Sequence, residues 1–192
     1  VCVARAPEAM RARFGAFCKS GGADLQRHAI YEALHGHFSR TLGPGHGWQD
    51  WAPPLQNPDN SAVAEFASQH DGEVRFHLFA QWLAFEGLQQ AQTAAQDAGM
   101  ACGLISDLAI GTDPRGSHAW SLTDDMLKGV TVGAPPDVYQ ADGQNWGLTA
   151  FSPRGLRHNA YAAFIATMRA NLRCAGGVRV DHVAGLERLW LV

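Results

Sequence analysis

The sequence predicts an α/β protein with a helical N-terminal part and at least one parallel strand pair. Three observations carry this expectation. Residues 100–108 (MACGLISDL) are a near-continuous apolar run without polar alternation, as expected of a strand buried on both faces. Residues 178–183 (VRVDHV) read as a second short buried strand. Between them lie a long stretch rich in Gly and Pro and then an apolar-faced helix. Residues 100–183 therefore read as strand, loop, helix, strand, a right-handed parallel crossover unit.

Composition narrows the class. The 192 residues suffice for one core of ordinary size, and 46% hydrophobic against 17% charged residues indicates a globular chain. A net charge of −3 offers no electrostatic case for nucleic acid. No apolar run approaches the ~20 residues of a membrane span. The start, VCVARAP, has no signal-peptide hydrophobic region and no initiator Met, so the true start is expected upstream. Cys2, Cys18, Cys102 and Cys174 are widely spaced without a C-x-x-C pair, which fits a reduced cytoplasmic protein.

The elements follow in order. Residues 7–40 are expected to be helical, with Pro7 near the start. Residues 41–60 are dense in Gly, Pro and Asp and form a loop. Residues 61–99 read as one helix or two, with Val74, Leu78, Phe79, Trp82, Phe85 and Leu88 on a broad apolar stripe and Gly99 as the stop. The cluster of Phe76, Phe79, Trp82 and Phe85 reads as core. Residues 109–157 are expected to be a long irregular loop. Asn159 then caps a helix carrying Phe164, Ile165, Met168 and Leu172 on one face, and Gly176-Gly177 stop it. His35-Gly36-His37 lacks an acid or cysteine to complete a metal set, so both histidines are assigned to packing or surface. Asp113, Asp124 and Asp125 do not match a calcium loop and read as solvated loop or helix-start acids.

The chemistry concentrates at two strand ends. Alternation sends Val178, Val180 and His182 one way and Arg179, Asp181 and Val183 the other. Arg179 beside Asp181 suits either a structural ion pair or a nucleophilic carboxylate kept ionised at a strand end. Asp107 closes the earlier strand. If the strands belong to a parallel barrel, both acids share the face where active sites form. In the intervening loop, Trp146 can lie against a sugar face or simply pack the loop down, and Gln144 and Asn145 carry amides for hydroxyls.

These residues together resemble the amylomaltases, the 4-α-glucanotransferases of glycoside hydrolase family 77. The resemblance runs through FHLFAQWLA (76–84), DLAIGTDPRGSHAW (107–120), VGAPPD (132–137), GQNWGL (143–148), AAFIATMRANLR (162–173) and VRVDHVAGLERLW (178–190). It implies a partial (β/α)₈ barrel, with a helical insertion and loop over 1–73 and a barrel portion over 74–192 that carries a substrate-covering loop, 109–157. It makes Asp181 the catalytic nucleophile and Arg179 the residue that orients it. Asp107, Asp137, Gln144, Asn145, Trp146 and His182 become substrate contacts. The implied reaction is retaining transfer of α-1,4-glucan segments to the 4-hydroxyl of an acceptor sugar, with no cofactor and no metal. The family's acid/base glutamate and third aspartate lie on later strands, so the chain resembles an internal piece, expected to be inactive alone and prone to expose apolar sheet edges. Rival readings are a non-catalytic α-glucan-binding fragment, an α-glucan hydrolase of the same clan, and a metal-dependent barrel hydrolase using the histidines with Asp107.

Overall fold

The computed structural model describes residues 6–43 and 45–192. The readings made on Cys2 and the first residues lie outside them. The chain divides into two compact units, Val1–Glu86 and Gly87–Val192.

The first unit is helical. α1 spans Glu8–Leu42 and follows Pro7. It is broken at Gly22, whose φ of 57° and ψ of −148° leave the helical region, so two helical segments run end to end. Two short 3₁₀ turns, Trp48–Asp50 and Pro53–Gln56, occupy the expected loop. α2 (Ser61–Gln69) is capped by the Asn60 side chain, which accepts from the Ala62 N–H at 3.0 Å. α3 covers Asp71–Asp97 and is followed by Gly99 at φ 91°.

The core of this unit joins Phe14, Phe17, Ala29 and Ala33 of α1 to Val74, Leu78 and Trp82 of α3. The α3 residues recur every fourth position, one stripe of the helix. Phe14 meets Phe79 edge-on at 5.9 Å and Trp82 at 5.7 Å, and Phe17 meets Phe85 at 5.2 Å. Two expected core residues are not core. Phe76 is 64% exposed because it sits two positions from Val74, on the opposite side of the helix. Leu88 keeps the line of the stripe but lies past Phe85 and is exposed. The histidines pack as expected: His35 stacks on Tyr31, and His37 meets Phe66 and His70.

The second unit mixes helix and strand. After the end of α3 come β1 (Ile105–Leu108), α4 (Ser117–Ser121), β2 (Val132–Ala134), β3 (Gln144–Leu148), α5 (Pro153–His158), α6 (Ala162–Leu172), β4 (Gly177–Val180) and β5 (Trp190–Leu191). β1 and β4 pair in parallel, with Asp107 opposite Arg179 and Leu108 opposite Val180. Gln92 of α3 sets the entry to β1: its Nε2 donates to the Cys102 carbonyl at 3.0 Å and its Oε1 accepts from the Leu104 N–H at 2.6 Å. α6 packs on one face of the pair, where Ser106 Oγ donates to Asn171 Oδ1 at 2.8 Å and Leu108 is buried.

That one-sided cover corrects the expectation of a strand buried on both faces. β1 has four residues rather than nine, and Ile105, on the face away from α6, is exposed. β4 also ends early, at Val180, so Asp181 lies in a turn and Val183 opens a 3₁₀ turn; strand alternation does not reach them.

The span expected as an irregular loop contains most of the unit's second sheet. β3, β2 and β5 pair antiparallel in that order, and Val132 of β2 and Trp120 of α4 are fully buried. Thr112 and Thr149 exchange backbone hydrogen bonds at 2.9 Å, closing the base of the span. The registry of β2 and β3 shifts between Val132 and Gly133, and a Cβ on Gly133 would collide with the Gln144 carbonyl oxygen. Asn159 does not cap α6. It ends α5, and its Nδ2 donates to Asp125 Oδ1 at 2.6 Å, while Tyr161 at φ 60° leads into α6. Ile165 and Leu172 of α6 are exposed, against the expected apolar face.

Candidate functional site

β1 and β4 end side by side because their registry is fixed from Ile105–Gly177 to Leu108–Val180. Successive strand residues point to opposite faces, so with Ser106 and Leu108 turned toward α6, Asp107 points away from it. Arg179, directly opposite Asp107, shares that bare face. Its Nη1 donates to Asp107 Oδ2 at 3.0 Å, and its Nη2 donates to Asp181 Oδ1. One guanidinium thus bridges both acids, and its planar fork suits two acceptors at once.

The ion triad is not buried. The side chains of Asp107, Arg179 and Asp181 are 63%, 58% and 58% exposed. This corrects the expectation that residues 178–183 form a buried strand. The cause is the uncovered face of the strand pair. The triad is therefore open to a ligand, and each ion pair adds little to stability.

His182 and Trp146 join the same neighbourhood. Their rings meet edge-to-face at 5.8 Å, which ties β3 to the turn after Asp181. Trp146 Nε1 donates to Gln144 Oε1 at 3.0 Å. Asn145 Oδ1 accepts from Thr131 Oγ1 and from the Gly147 N–H, each at 2.8 Å. Gln144 and Asn145 thus brace the strand that presents Trp146, with further amide capacity outward. Asp137 stands apart, in the β2–β3 connection. Its Oδ1 accepts the Tyr139 and Gln140 N–H groups at 2.7 Å, an Asx turn that holds exposed Val138 and Tyr139 at the tip.

Sequence reasoning missed Asp125. Instead of a solvated acid it is 7% exposed, held by Asn159 and, through its backbone carbonyl, by the Ser152 N–H at 2.7 Å. Its neighbour in sequence, Asp124, is solvated and pairs with Lys128 at 3.7 Å. Asp113 accepts from the Arg115 N–H in a turn. Among the described residues, no three His, Cys, Asp or Glu side chains group as a metal site.

A family model described as 4-alpha-glucanotransferase, glycoside hydrolase family 77, matches residues 3–192. The chain belongs to the 4-alpha-glucanotransferase family. A 4-alpha-glucanotransferase of Mycobacterium tuberculosis is 44% identical over 179 residues, covering 93% of this chain and 24% of its own. One from Haemophilus influenzae is 32% identical over 88% of this chain and 23% of its own. The chain thus spans about a quarter of the length of these curated relatives. Among solved structures, amylomaltase from Corynebacterium glutamicum superposes with a TM-score of 0.77 at 32% identity, over 97% of this chain and 24% of that one. Amylomaltase from Streptococcus agalactiae, solved with acarbose, gives 0.84 at 18% identity over 97% of this chain and 37% of that one, a likeness of fold. With its own helices and strands, this chain is an α/β member of the family.

Proposed function

We propose that this chain carries the nucleophile and part of the sugar-binding face of a 4-alpha-glucanotransferase acting on α-1,4-glucans. The observation that carries the reading is the single guanidinium of Arg179 holding Asp107 and Asp181 together at the ends of two parallel strands. In this reading Asp181 attacks the anomeric carbon of the donor glucan, the leaving oxygen departs with a proton from the acid/base glutamate that the family carries on a later strand, and a covalent glucosyl ester forms. The acceptor's 4-hydroxyl, giving its proton to that glutamate, then displaces Asp181, and two inversions retain the α configuration. Arg179 fixes the attacking oxygen. Asp107 holds the other side of the fork and faces the sugar. Trp146 offers an aromatic face against sugar C–H groups, braced by His182, while Gln144, Asn145 and Asp137 meet hydroxyls.

The parallel β1–β4 pair with α6 packed on one face supports a partial (β/α)₈ barrel, with Asp107 and Asp181 at the mouth. The reduced cytoplasm is the compartment assigned, and Cys18, Cys102 and Cys174 are free thiols in keeping with it. Both carboxylates of the triad accept from one guanidinium, so neither is placed as the proton donor to a leaving oxygen. The 192-residue chain alone is therefore expected to bind glucan without turning it over.

A chimera tests this reading. The chain replaces the matching 179-residue stretch of the Mycobacterium tuberculosis relative, and maltotriose is the substrate. Glucose and longer maltooligosaccharides are the expected products, lost in Asp181→Asn. A folded chimera that makes no transfer products, or one that keeps its activity in Asp181→Asn, contradicts it. Maltotriose turnover by the 192-residue chain itself would sink the claim that it is inactive alone.

A further inference from the structure

On the α6 side of the strand pair, opposite the face that carries Asp107 and Arg179, lies a cavity of about 570 Å³. That is the size of a small-molecule site. Its walls include Leu108 and Val180 from the strand ends, Leu156 of α5, Phe164 of α6, and Phe151 and Leu186 from the connecting turns. Arg157 and Arg188 stand among the lining residues, exposed to solvent, and neither guanidinium makes an ion pair among the described residues. Glu187 is the one carboxylate of the lining.

We infer that this cavity binds a small amphipathic carboxylate, its hydrocarbon part inside and its head at Arg157 and Arg188. The lining chemistry selects this class. A sugar buried here would set most of its hydroxyls against a mainly apolar lining, in which Thr112, His118, Tyr161, Thr167 and His182 are the few neutral polar partners, at a cost in desolvation. A neutral hydrocarbon would gain from the walls but nothing from two guanidiniums. A carboxylate uses both, since arginine forms charge-assisted and bidentate hydrogen bonds with it. A cation would meet two like charges and one acid. The occupant would touch Leu108 and Val180, the residues that follow Asp107 and Arg179 in the chain, from behind. The inference does not rest on the glucan reading: of the residues assigned to glucan, the cavity lining includes His182 alone, and neither Trp146 nor the Asp107–Arg179–Asp181 triad.

The test is a calorimetric titration of the 192-residue chain with hexanoate, octanoate and decanoate, each below its micelle concentration, with octanol as the neutral probe. Affinity is expected to rise about fourfold per methylene until the cavity is full. The double variant Arg157→Gln/Arg188→Gln is expected to weaken octanoate about tenfold or more and leave octanol unchanged. Both arginines are exposed, so this variant keeps the fold. Thr167→Met, which extends a side chain into the cavity, is expected to weaken octanoate and octanol alike. Amide NMR shifts should centre on Leu108, Phe164 and Val180. Absence of saturable octanoate binding overturns the inference. So does octanoate affinity unchanged in the arginine double variant, or shifts centred on Trp146. Maltotriose titrated in parallel separates the two readings: its failure to bind leaves the octanoate result standing.

Discussion

Replacing Arg179 by methionine separates a positioning role from a structural one. The stem is kept, and the fork that holds Asp107 and Asp181 is lost. In water, Coulomb attraction between unit charges 3.0 Å apart is about 1.4 kcal/mol, that distance being the Arg179–Asp107 contact. All three side chains are more than half exposed, so screening and side-chain entropy reduce each pair to roughly 0.2–1 kcal/mol. With two pairs lost, the unfolding free energy of the 192-residue chain in urea should therefore fall by about 2 kcal/mol or less. Catalysis should respond far more. Without the fork the attacking oxygen is free to turn, and a displacement of about 1 Å costs on the order of 10²-fold in rate. In the chimera, Arg179→Met should lower kcat by that factor or more while the melting curve stays nearly unchanged. Arg179→Lys should recover little, because a single ammonium cannot span both acids. Loss of several kcal/mol of stability in Arg179→Met, or a kcat within a few-fold of the parent, would refute the assignment.

Trp146→Ala should weaken maltooligosaccharide binding by about 5–10-fold in a calorimetric titration, since the aromatic face is removed. Asp125→Ala should destabilise the chain by about 1–3 kcal/mol in urea, because the buried carboxylate that accepts from Asn159 at the end of α5 is removed. His28 is held below the usual histidine range by burial, with His77 adding to the effect and Glu32 opposing it. The unfolded chain then binds that proton more readily, so stability falls as pH drops below about 6.5. His28→Gln should flatten that part of the urea-midpoint profile between pH 7.5 and 5.5, and an unchanged slope would contradict it.

Helices were the most legible part of the sequence because their signals are local. The four-residue spacing of Val74, Leu78 and Trp82 predicted the face that meets α1, and Gly99 marked the end of α3. Phe76 was misplaced because composition was read in place of angle around the helix. The strands were visible but overextended. Apolar character ran from Met100 to Leu108, yet pairing with β4 begins only at Ile105, after Gly103 at φ 67°. The antiparallel sheet inside 109–157 was hidden because β2 is three residues long and β5 two, and they meet across some sixty residues of chain. Periodicity cannot show a pairing that distant. The triad was legible by type and position, through Arg179, Asp181 and Asp107 at strand ends. Its exposure was not, since that depends on which face α6 covers. Asp125 was misread because nothing near it in sequence announces Asn159 as its partner.

The central claim is that Asp181 forms the covalent bond to the sugar. Its most direct test is to treat the chimera with a 5-fluoro-glucosyl fluoride, which slows breakdown of a glucosyl ester, and to map the added mass by peptide mass spectrometry. The account predicts one fluoroglucosyl adduct on the peptide that contains Asp181, absent in Asp181→Asn. An adduct on Asp107 or another carboxylate, or turnover of the reagent with no adduct at Asp181, contradicts it.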